Sequence, residues 1–208
     1  MNAIRSRPGK IVCVGRNYRE HAKELGNEVP KEPLLFLKPP SSVVWGGEPI
    51  LLPSASKKVE HEGEIGVIVG RTLTRVSESD AARGIRGIVA VNDVTARDLQ
   101  KSDSQWTRAK GFDTFCPLGE ESSELPDLDS LTVVARVNGV ERQRGKSSEM
   151  VFSIPSLLAY ISHIMTLEPG DLVATGTPSG VGPLVPGDVV EIEIPGVSRV
   201  TNPVQESR

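Results

Sequence analysis

Two glutamates separated by one residue, Glu62 and Glu64, are the side chains in this sequence best placed to do chemistry. They precede a short apolar run at residues 65–69 that ends at a glycine and predicts a buried strand. Because side chains alternate along a strand, both carboxylates are expected on one face. Burying two like charges is costly unless a cation neutralises them. The pattern therefore predicts a cation site, and the alternative is an exposed edge strand with solvated glutamates.

A third carboxylate, Asp93, lies at the end of a second apolar run at residues 88–91. Three carboxylates without a cysteine cluster form a hard oxygen-donor set, which favours Mg²⁺ or Mn²⁺ over structural zinc. Cys13 and Cys116 are too few for a disulfide framework and lack metal-type spacing. We therefore expect Glu62, Glu64 and Asp93 to hold a divalent cation.

His21 and Glu24 form a second candidate pair, in a segment expected to be helical over residues 17–25 with Asn17 as its N-cap. Three-residue spacing puts both side chains on one helix face, where a carboxylate fixes the imidazole tautomer and raises its basicity. Such a pair can activate water as a general base, and the alternative is an ordinary surface pair. The proline-bearing loop that follows, to residue 33, is a candidate for a hinged lid.

Three further segments are candidates for substrate contact. Thr95 is expected to cap a helix through about residue 104, which carries Gln100 toward the site, whereas Arg97 and Asp98 are expected to make structural ion pairs. Lys110 can offer a positive charge to an anionic substrate, or it is a solvated loop lysine. Residues 175–182 are rich in glycine and hydroxyl side chains, so they form either a backbone anion site or a plain surface turn.

Short strands separated by turns must position these residues. The chain has 208 residues with 20 glycines and 16 prolines, which favours a β-rich fold. Asn138-Gly139, between residues 131–137 and the segment from Val140 onward, predicts a hairpin with a type I′ turn. Helices are expected at residues 78–83 and 153–165, capped by serines, and residues 111–120 are expected to be irregular. We predict one β-rich α+β domain at residues 10–208, after a loose leader at residues 1–9.

The charge pattern excludes some classes of partner. The formal net charge is −3, from 24 basic and 27 acidic residues, without a basic stripe interleaved with aromatic residues. Nucleic acid is therefore not an expected partner. The sequence contains neither an apolar run of membrane-spanning length nor a signal-peptide pattern, so a membrane is not expected either. A cytoplasmic location is the default expectation.

Seven motifs, taken together and in order, resemble the fumarylacetoacetate hydrolase family, most closely its short branch of acylpyruvate hydrolases and oxaloacetate decarboxylases. They cover about residues 10–200. One departure is Gly111, where the short branch often has a serine after the lysine. The motifs are Gly15-Arg16-Asn17-Tyr18, His21-x-x-Glu24, Phe36-Leu37-Lys38-Pro39, Glu62-Gly63-Glu64, Asn92-Asp93-x-Thr95-Ala96-Arg97-Asp98, Lys110-x-Phe112-Asp113 and Thr175-Gly176-Thr177-Pro178-x-Gly180-Val181-Gly182.

The resemblance implies a mixed β-sandwich roll with short flanking helices, like the C-terminal domain of fumarylacetoacetase, and a homodimer. It implies Mg²⁺ or Mn²⁺ at the three carboxylates and a catalytic His21–Glu24 pair on a lid helix, together with Lys110. The substrate contacts expected from the motifs are Arg16, Tyr18, Lys38, Gln100 and Thr177.

The activity implied is metal-dependent hydrolysis of the C–C bond of acylpyruvates, which are 2,4-dioxo acids such as fumarylpyruvate or acetylpyruvate. Decarboxylation of oxaloacetate, another small 2-oxo acid, would pass through the same pyruvate enolate, stabilised by the cation. One alternative is an isomerase of 2-hydroxyhepta-2,4-diene-1,7-dioate type in aromatic catabolism. Another is a metal-dependent 2-oxo-acid-binding protein without catalysis, although the intact His21-x-x-Glu24 motif argues against it.

Overall fold

The computed structural model describes residues 7–24, 26, 28–122 and 124–207. Most of the predicted leader lies outside the described residues, as do Leu25 and Asn27 of the predicted lid segment. Within the described ranges, no helix has the length and apolar character needed to cross a membrane. The same ranges contain more strands than helices, as the glycine and proline content predicts.

A seven-stranded sheet of mixed direction carries the predicted carboxylates. Its two longest strands, β6 (Gly63–Val69) and β7 (Ile85–Asn92), are antiparallel, and Gly63 is opposite Asn92. Glu62 and Asp93 therefore lie side by side just beyond the pair, where the Asp93 N–H donates to the Glu62 carbonyl at 2.9 Å. In spatial order the strands are β2 (Leu34–Lys38), β1 (Ile11–Gly15), β12 (Leu172–Ala174), β6 (Gly63–Val69), β7 (Ile85–Asn92), β9 (Cys116–Leu118) and β3 (Val43–Trp45).

Two smaller sheets complete the β structure. The predicted hairpin is confirmed in the five-stranded sheet, where Asn138 and Gly139 have φ of 53° and 76°, as a type I′ turn requires. The five strands are β11 (Val140–Lys146), β10 (Thr132–Val137), β14 (Val189–Ile194), β15 (Ser198–Glu206) and β4 (Ile50–Leu52). The three-stranded sheet consists of β13 (Gly182–Pro183), β5 (Val59–His61) and β8 (Thr95–Ala96).

The helices are short and flank the sheets. Ser77 and Ser153 cap two of them by accepting hydrogen bonds from the N–H groups of Asp80 and Ser156, so both predicted caps are confirmed. The helices are α1 (Arg19–Glu24), α2 (Glu78–Ala82), α3 (Arg97–Ser102), α4 (Thr107–Lys110) and α5 (Ile154–Ile164), with 3₁₀ turns at Pro40–Ser42 and Ser147–Glu149.

Strand alternation divides the apolar side chains of the seven-stranded sheet between two clusters. Ile65 and Val67 of β6 face the five-stranded sheet and belong to the larger core, with Ala135 and Ile192. Ile68 points to the opposite face of the seven-stranded sheet, into a second buried cluster. Because the period is two residues, Glu62 and Glu64 continue the face of Ile68. The predicted common face of the two glutamates follows from this alternation.

The predicted helix cap at Thr95 is wrong. Thr95 and Ala96 form β8 and pair with Glu60 and Val59 of β5, so α3 begins only at Arg97. The Thr95 hydroxyl donates to the carbonyl of Asp93 at 2.8 Å. Backbone pairing with a strand that is distant in sequence therefore outweighed the local capping preference.

The predicted N-cap role of Asn17 is also wrong, since α1 begins at Arg19. The fully buried Asn17 amide donates to the carbonyls of Phe152 and Thr175 at 3.1 and 2.8 Å. Its Oδ1 accepts the Phe152 N–H at 2.9 Å. Asn17 thus ties the segment before α1 to two distant loops, a role that local sequence does not specify.

The sequence did not predict β3, β9 or α4. Residues 111–120 were expected to be irregular, yet Cys116–Leu118 forms β9 between β7 and β3. Strands of three residues, one of them containing Pro117, are too short to give a periodic signal. Only the pairing partners supplied by the rest of the sheet make them strands.

Gly66 offers a test of the close packing at the centre of the seven-stranded sheet. A Cβ at this position would lie 2.4 Å from Val91 Cγ2 and 2.9 Å from Val89 Cγ1. We predict that Gly66→Ala lowers the free energy of unfolding by about 1–3 kcal/mol through overpacking. Urea denaturation followed by circular dichroism measures the change.

The matched control is Gly46→Ala, because a Cβ on Gly46 would meet no atom closer than 3.9 Å. Its free energy of unfolding should stay within about 0.5 kcal/mol of the wild type. Equal stability of both variants would show that the β6–β7 contact is looser than described.

Candidate functional site

Glu62, Glu64 and Asp93 converge at one end of the β6–β7 pair. One carboxylate oxygen from each lies within 4.8 Å of the others, and all three side chains are buried. The cluster forms because Glu62 and Glu64 share a face and because β7 delivers Asp93 beside Glu62. Three buried carboxylate oxygens at this spacing suit a hard divalent cation.

Buried cations hold two of the three carboxylates. Lys110 Nζ lies 2.8 Å from Glu62 Oε2 and 2.5 Å from Asp93 Oδ2. Arg97 Nη2 lies 2.5 Å from Glu62 Oε1, and its Nε donates to Glu60 Oε2 at 2.8 Å. Burial disfavours ionised Glu62, but Lys110 and Arg97 outweigh it and hold the pKa of Glu62 well below its usual range. Burial likewise opposes the Lys110 charge, yet Asp93 and Glu62 raise the pKa of Lys110.

Glu64 is the least compensated member of the cluster. Within the described residues it forms no ion pair, and its Oε2 accepts the Gly176 N–H at 2.9 Å. Burial, followed by the charges of Asp93 and Glu62, raises the pKa of Glu64 well above its usual range. Ionisation of all three carboxylates therefore calls for additional positive charge. The donor set thus fits the divalent cation that the sequence predicts, with Mg²⁺ and Mn²⁺ equally suited to it.

Lys38 lies behind Asp93, away from the cavity. Its fully buried Nζ donates to Asp93 Oδ1 at 2.6 Å and to the Val94 carbonyl at 3.1 Å. Lys38 is not among the residues that line the cavity in front of the carboxylates. Lys38 therefore supports Asp93, whereas the sequence predicts a substrate contact. Its side chain points inward because of the position of β2 in the sheet, which the local sequence does not specify.

Tyr18, the other predicted substrate contact outside the cavity lining, is also buried. In the described part of the chain, its hydroxyl has no hydrogen-bond partner. Burial, reinforced by the charges of Glu64 and Glu149, raises the pKa of the Tyr18 hydroxyl. Tyr18 therefore stays neutral and packs beside the site without facing the cavity.

The His21–Glu24 pair is assembled on α1 as the sequence predicts. His21 Nδ1 lies 3.2 Å from Glu24 Oε2, and His21 is buried. Because a carboxylate only accepts, Nδ1 carries the proton of neutral His21 and Nε2 keeps the free electron pair. The Gly180 N–H donates to both Glu24 oxygens at 3.0 and 3.2 Å, which fastens α1 to the glycine-rich segment 175–182.

A cavity of about 400 Å³ joins these groups. Every predicted site residue except Tyr18 and Lys38 lines it, so the fold brings together segments that are far apart in sequence. The predicted residues on its wall are Arg16, His21, Glu24, Glu62, Glu64, Asp93, Gln100, Lys110 and Thr177.

Besides Val14 and Gly15, four further residues on the cavity wall were not predicted as site residues. Arg97, which was expected to make only structural ion pairs, reaches the cavity and binds the carboxylate Glu62. The rings of Phe36 and Trp106 pack edge to face, with their centroids 5.3 Å apart. Lys101 adds another positive charge to the wall. Phe36 and Arg97 lie in motifs that carry the resemblance, whereas the sequence around Lys101 and Trp106 gives no such signal.

Gln143 is a buried residue of β11 that fixes the backbone beside the carboxylates. Its Nε2 donates to Thr177 Oγ1 and the Pro178 carbonyl at 2.8 and 2.7 Å, and its Oε1 accepts the Gly63 N–H at 2.9 Å. Thr177 Oγ1 in turn donates to the Gly63 carbonyl at 2.9 Å. The proton of the Thr177 hydroxyl is therefore committed to Gly63 and is not free for a substrate.

Comparison with known proteins places this fold and site in context. Residues 10–205 match the family model described as fumarylacetoacetate (FAA) hydrolase C-terminal. The mitochondrial oxaloacetate decarboxylase of Dictyostelium discoideum is 44% identical over 204 residues, which covers 95% of this chain and 94% of the relative. The mitochondrial oxaloacetate tautomerase of Arabidopsis thaliana is 47% identical over 200 residues, which covers 92% and 88% of the two chains.

A solved structure shows the same architecture. The 5-carboxymethyl-2-hydroxymuconate delta-isomerase from Mycobacterium smegmatis has a TM-score of 0.90 and 43% identity, covering 97% of this chain and 80% of the isomerase chain. This likeness confirms the predicted β-rich roll with short flanking helices.

The carboxylate cluster predicts a specific effect on metal affinity. Glu64→Gln keeps the size of the side chain and an oxygen for the Gly176 N–H, but removes a charge that the cation needs. We expect affinity for Mg²⁺ and Mn²⁺ to fall on the order of a hundredfold, with folding retained. Calorimetric titration of chelator-treated protein with either ion measures this.

Glu141→Gln is the matched control, because Glu141 is an exposed glutamate outside the cavity. Its metal affinity should equal that of the wild type. Unchanged metal affinity in Glu64→Gln would show that the three carboxylates do not form the metal site.

Proposed function

Because the chain belongs to the fumarylacetoacetate hydrolase family, we propose that this enzyme hydrolyses the C–C bond of acylpyruvates and also decarboxylates oxaloacetate. The observation that carries the proposal is a single cavity that contains both a buried three-carboxylate cluster and a His21–Glu24 pair. The first suits a metal-dependent enzyme of 2-oxo acids, and the second suits a reaction that moves protons.

Glu62, Glu64 and Asp93 would hold the Mg²⁺ or Mn²⁺ ion. When bound, the ion supplies Lewis-acid chemistry, which polarises a 2-oxo group and stabilises negative charge on its oxygen. Lys110, fixed by Glu62 and Asp93, adds a positive charge that needs no reorganisation when the substrate becomes more negative. Arg97 holds Glu62 in place and shares this role.

His21 is the proposed general base for hydrolysis. Its free Nε2 takes a proton from water, and the water oxygen attacks the C4 carbonyl of the acylpyruvate. The C3–C4 bond then breaks, its electron pair remains on C3 as the pyruvate enolate, and the acyl group leaves as a carboxylic acid. Protonation of C3 by His21 completes pyruvate and restores the base. We propose that α1 and the loop to residue 33 form the lid that carries this base.

Decarboxylation of oxaloacetate would reach the same enolate without water. The C3–C4 bond breaks, CO₂ leaves, and C3 accepts a proton. Positive charge around the 2-oxo group is the main requirement. The carboxylates that would hold the divalent cation, together with Lys110, therefore matter more here than His21. The name of the Dictyostelium discoideum relative, an oxaloacetate decarboxylase, supports this second reaction, whereas the Arabidopsis thaliana relative is named for the tautomerisation of the same 2-oxo acid.

An isomerase reaction is the second candidate, favoured by the likeness to the muconate delta-isomerase structure. In this case His21 would carry a proton from one position of a 2-hydroxy-dienedioate to another as the double bonds shift, and the carbon skeleton would stay intact. A panel of acetylpyruvate, fumarylpyruvate, oxaloacetate and a 2-hydroxy-dienedioate, assayed with Mg²⁺, separates the reactions. Turnover of the dienedioate alone would overturn the proposal, and binding without turnover of any member would point to a binding protein.

We predict that His21→Ala separates hydrolysis from decarboxylation. Acylpyruvate cleavage should lose about 10²–10⁴-fold in kcat/KM because its base is gone, and oxaloacetate decarboxylation should lose much less. Glu24→Gln should act in the same direction more weakly, since it disturbs the orientation of the imidazole. Steady-state kinetics on both substrates with saturating Mg²⁺ measures the difference.

His163→Ala is the matched control, because His163 is exposed on α5 and is not among the residues that line the cavity. It should leave both reactions unchanged. An equal loss of both activities in His21→Ala would mean that α1 only closes the site, and unchanged hydrolysis would place the base elsewhere.

We propose that the protein is a homodimer. Among the described residues, β2 pairs only with β1 and is therefore an edge strand. Its apolar side chains Leu34 and Leu37 are 36% and 50% exposed. We expect light scattering at micromolar concentration to give twice the chain mass. A monomer mass would contradict the proposal.

A further inference from the structure

The positive side chains on the cavity wall differ in whether they have partners. Arg97 and Lys110 are ion-paired with Glu62 at 2.5 and 2.8 Å. Arg16 and Lys101 line the same cavity, but neither forms an ion pair or a side-chain hydrogen bond with any residue that the structure describes. Two cations without a protein partner in one cavity are free to pair with an anionic ligand.

We propose that Lys101 is a specificity-determining residue, which together with Arg16 forms a subsite for a second carboxylate on the substrate. The inference rests on the proposed function, because the carboxylate cluster must hold the 2-oxo acid end. It adds that the preferred substrates are 2-oxo dicarboxylates, whose far carboxylate lies between Arg16 and Lys101, in preference to acids with an uncharged acyl tail.

The backbone of Arg16 supports a ligand role for its side chain. Arg16 has φ of 59°, in the left-handed region that residues with a Cβ seldom adopt. The next residue, Asn17, is buried and forms hydrogen bonds with Phe152 and Thr175. These bonds fix the direction of the backbone after Arg16. Surrounding structure thus holds Arg16 at the cavity in an unfavourable conformation, as is common for residues that contact ligands.

Helix α3 contributes hydrogen-bond donors to the same wall. Arg97 Nη1 donates to Gln100 Oε1 at 2.5 Å, which leaves the Gln100 amide N–H groups to face a ligand. Lys101 is the next residue and also lines the cavity. Arg16, Gln100 and Lys101 therefore offer only donors, whereas Phe36 and Trp106 provide an apolar wall for the carbon chain.

Two inert acids test the subsite without relying on turnover. N-oxalylglycine and N-ethyloxamate share a 2-oxo acid head that chelates Mg²⁺, and a carboxylate in the first replaces a methyl group in the second. With Mg²⁺-loaded protein, calorimetry should show N-oxalylglycine binding at least about tenfold more tightly. Lys101→Gln and Arg16→Gln should each reduce this ratio severalfold while the Kd of N-ethyloxamate changes by less than about twofold.

Lys57→Gln is the matched control, because it removes the same charge from an exposed lysine that does not line the cavity. Its binding ratio should equal that of the wild type. Equal binding of both acids to the wild type, or an unchanged ratio in Lys101→Gln, would overturn the subsite while Mg²⁺-dependent head binding stands. Failure of both acids to bind with Mg²⁺ would overturn the underlying function and the subsite with it.

The kinetic counterpart uses fumarylpyruvate and acetylpyruvate, which undergo the same hydrolysis but of which only fumarylpyruvate has a far carboxylate. In Lys101→Gln, kcat/KM for fumarylpyruvate should fall severalfold through KM, whereas kcat/KM for acetylpyruvate should be unaffected. A parallel fall for both substrates would assign Lys101 to general structure and contradict a role in specificity.

Discussion

Burial of several carboxylates at the end of one strand pair is the constraint on which the rest of the structure depends. Glu62, Glu64 and Asp93 are removed from water. Burying these carboxylates without nearby positive charge would cost far more free energy than one side-chain contact contributes. Lys110 and Arg97 come from helices to meet them, and Lys38 comes from an edge strand. The fold around the site is therefore largely an arrangement for bringing positive charge to this point.

A second constraint is the link between the carboxylates and the His21–Glu24 pair. The segment 175–182 binds Glu64 through the Gly176 N–H and Glu24 through the Gly180 N–H. Gly180 has φ of +96°, and a Cβ there would lie 2.1 Å from the Arg142 carbonyl, so glycine is required. One backbone segment thus sets the relative position of the cation ligands and the base, with Gln143 holding it from β11.

Under the proposed function, the invariable and the adjustable parts of the chemistry occupy different ends of the cavity. Stabilising negative charge on a 2-oxo acid requires only the carboxylates that would hold the divalent cation and the buried side chains of Lys110 and Arg97. Hydrolysis, decarboxylation and isomerisation share this need. The relatives and the similar structure carry names from more than one of these reactions. Side chains beyond the cluster, above all those near Arg16 and Lys101, are where discrimination between substrates can arise.

The sequence by itself determined the period-two pattern that puts Glu62 and Glu64 on one face, the His21–Glu24 spacing, the serine caps and the Asn138-Gly139 turn. Each depends on neighbours in the chain, where local geometry decides. Tertiary structure alone decided that Thr95 joins a strand, that Lys38 lies behind Asp93, and that Gln143, Lys101 and Trp106 flank the site. Those outcomes depend on which distant strand or loop arrives as a neighbour, and a contact between residues far apart in sequence leaves no local pattern to read.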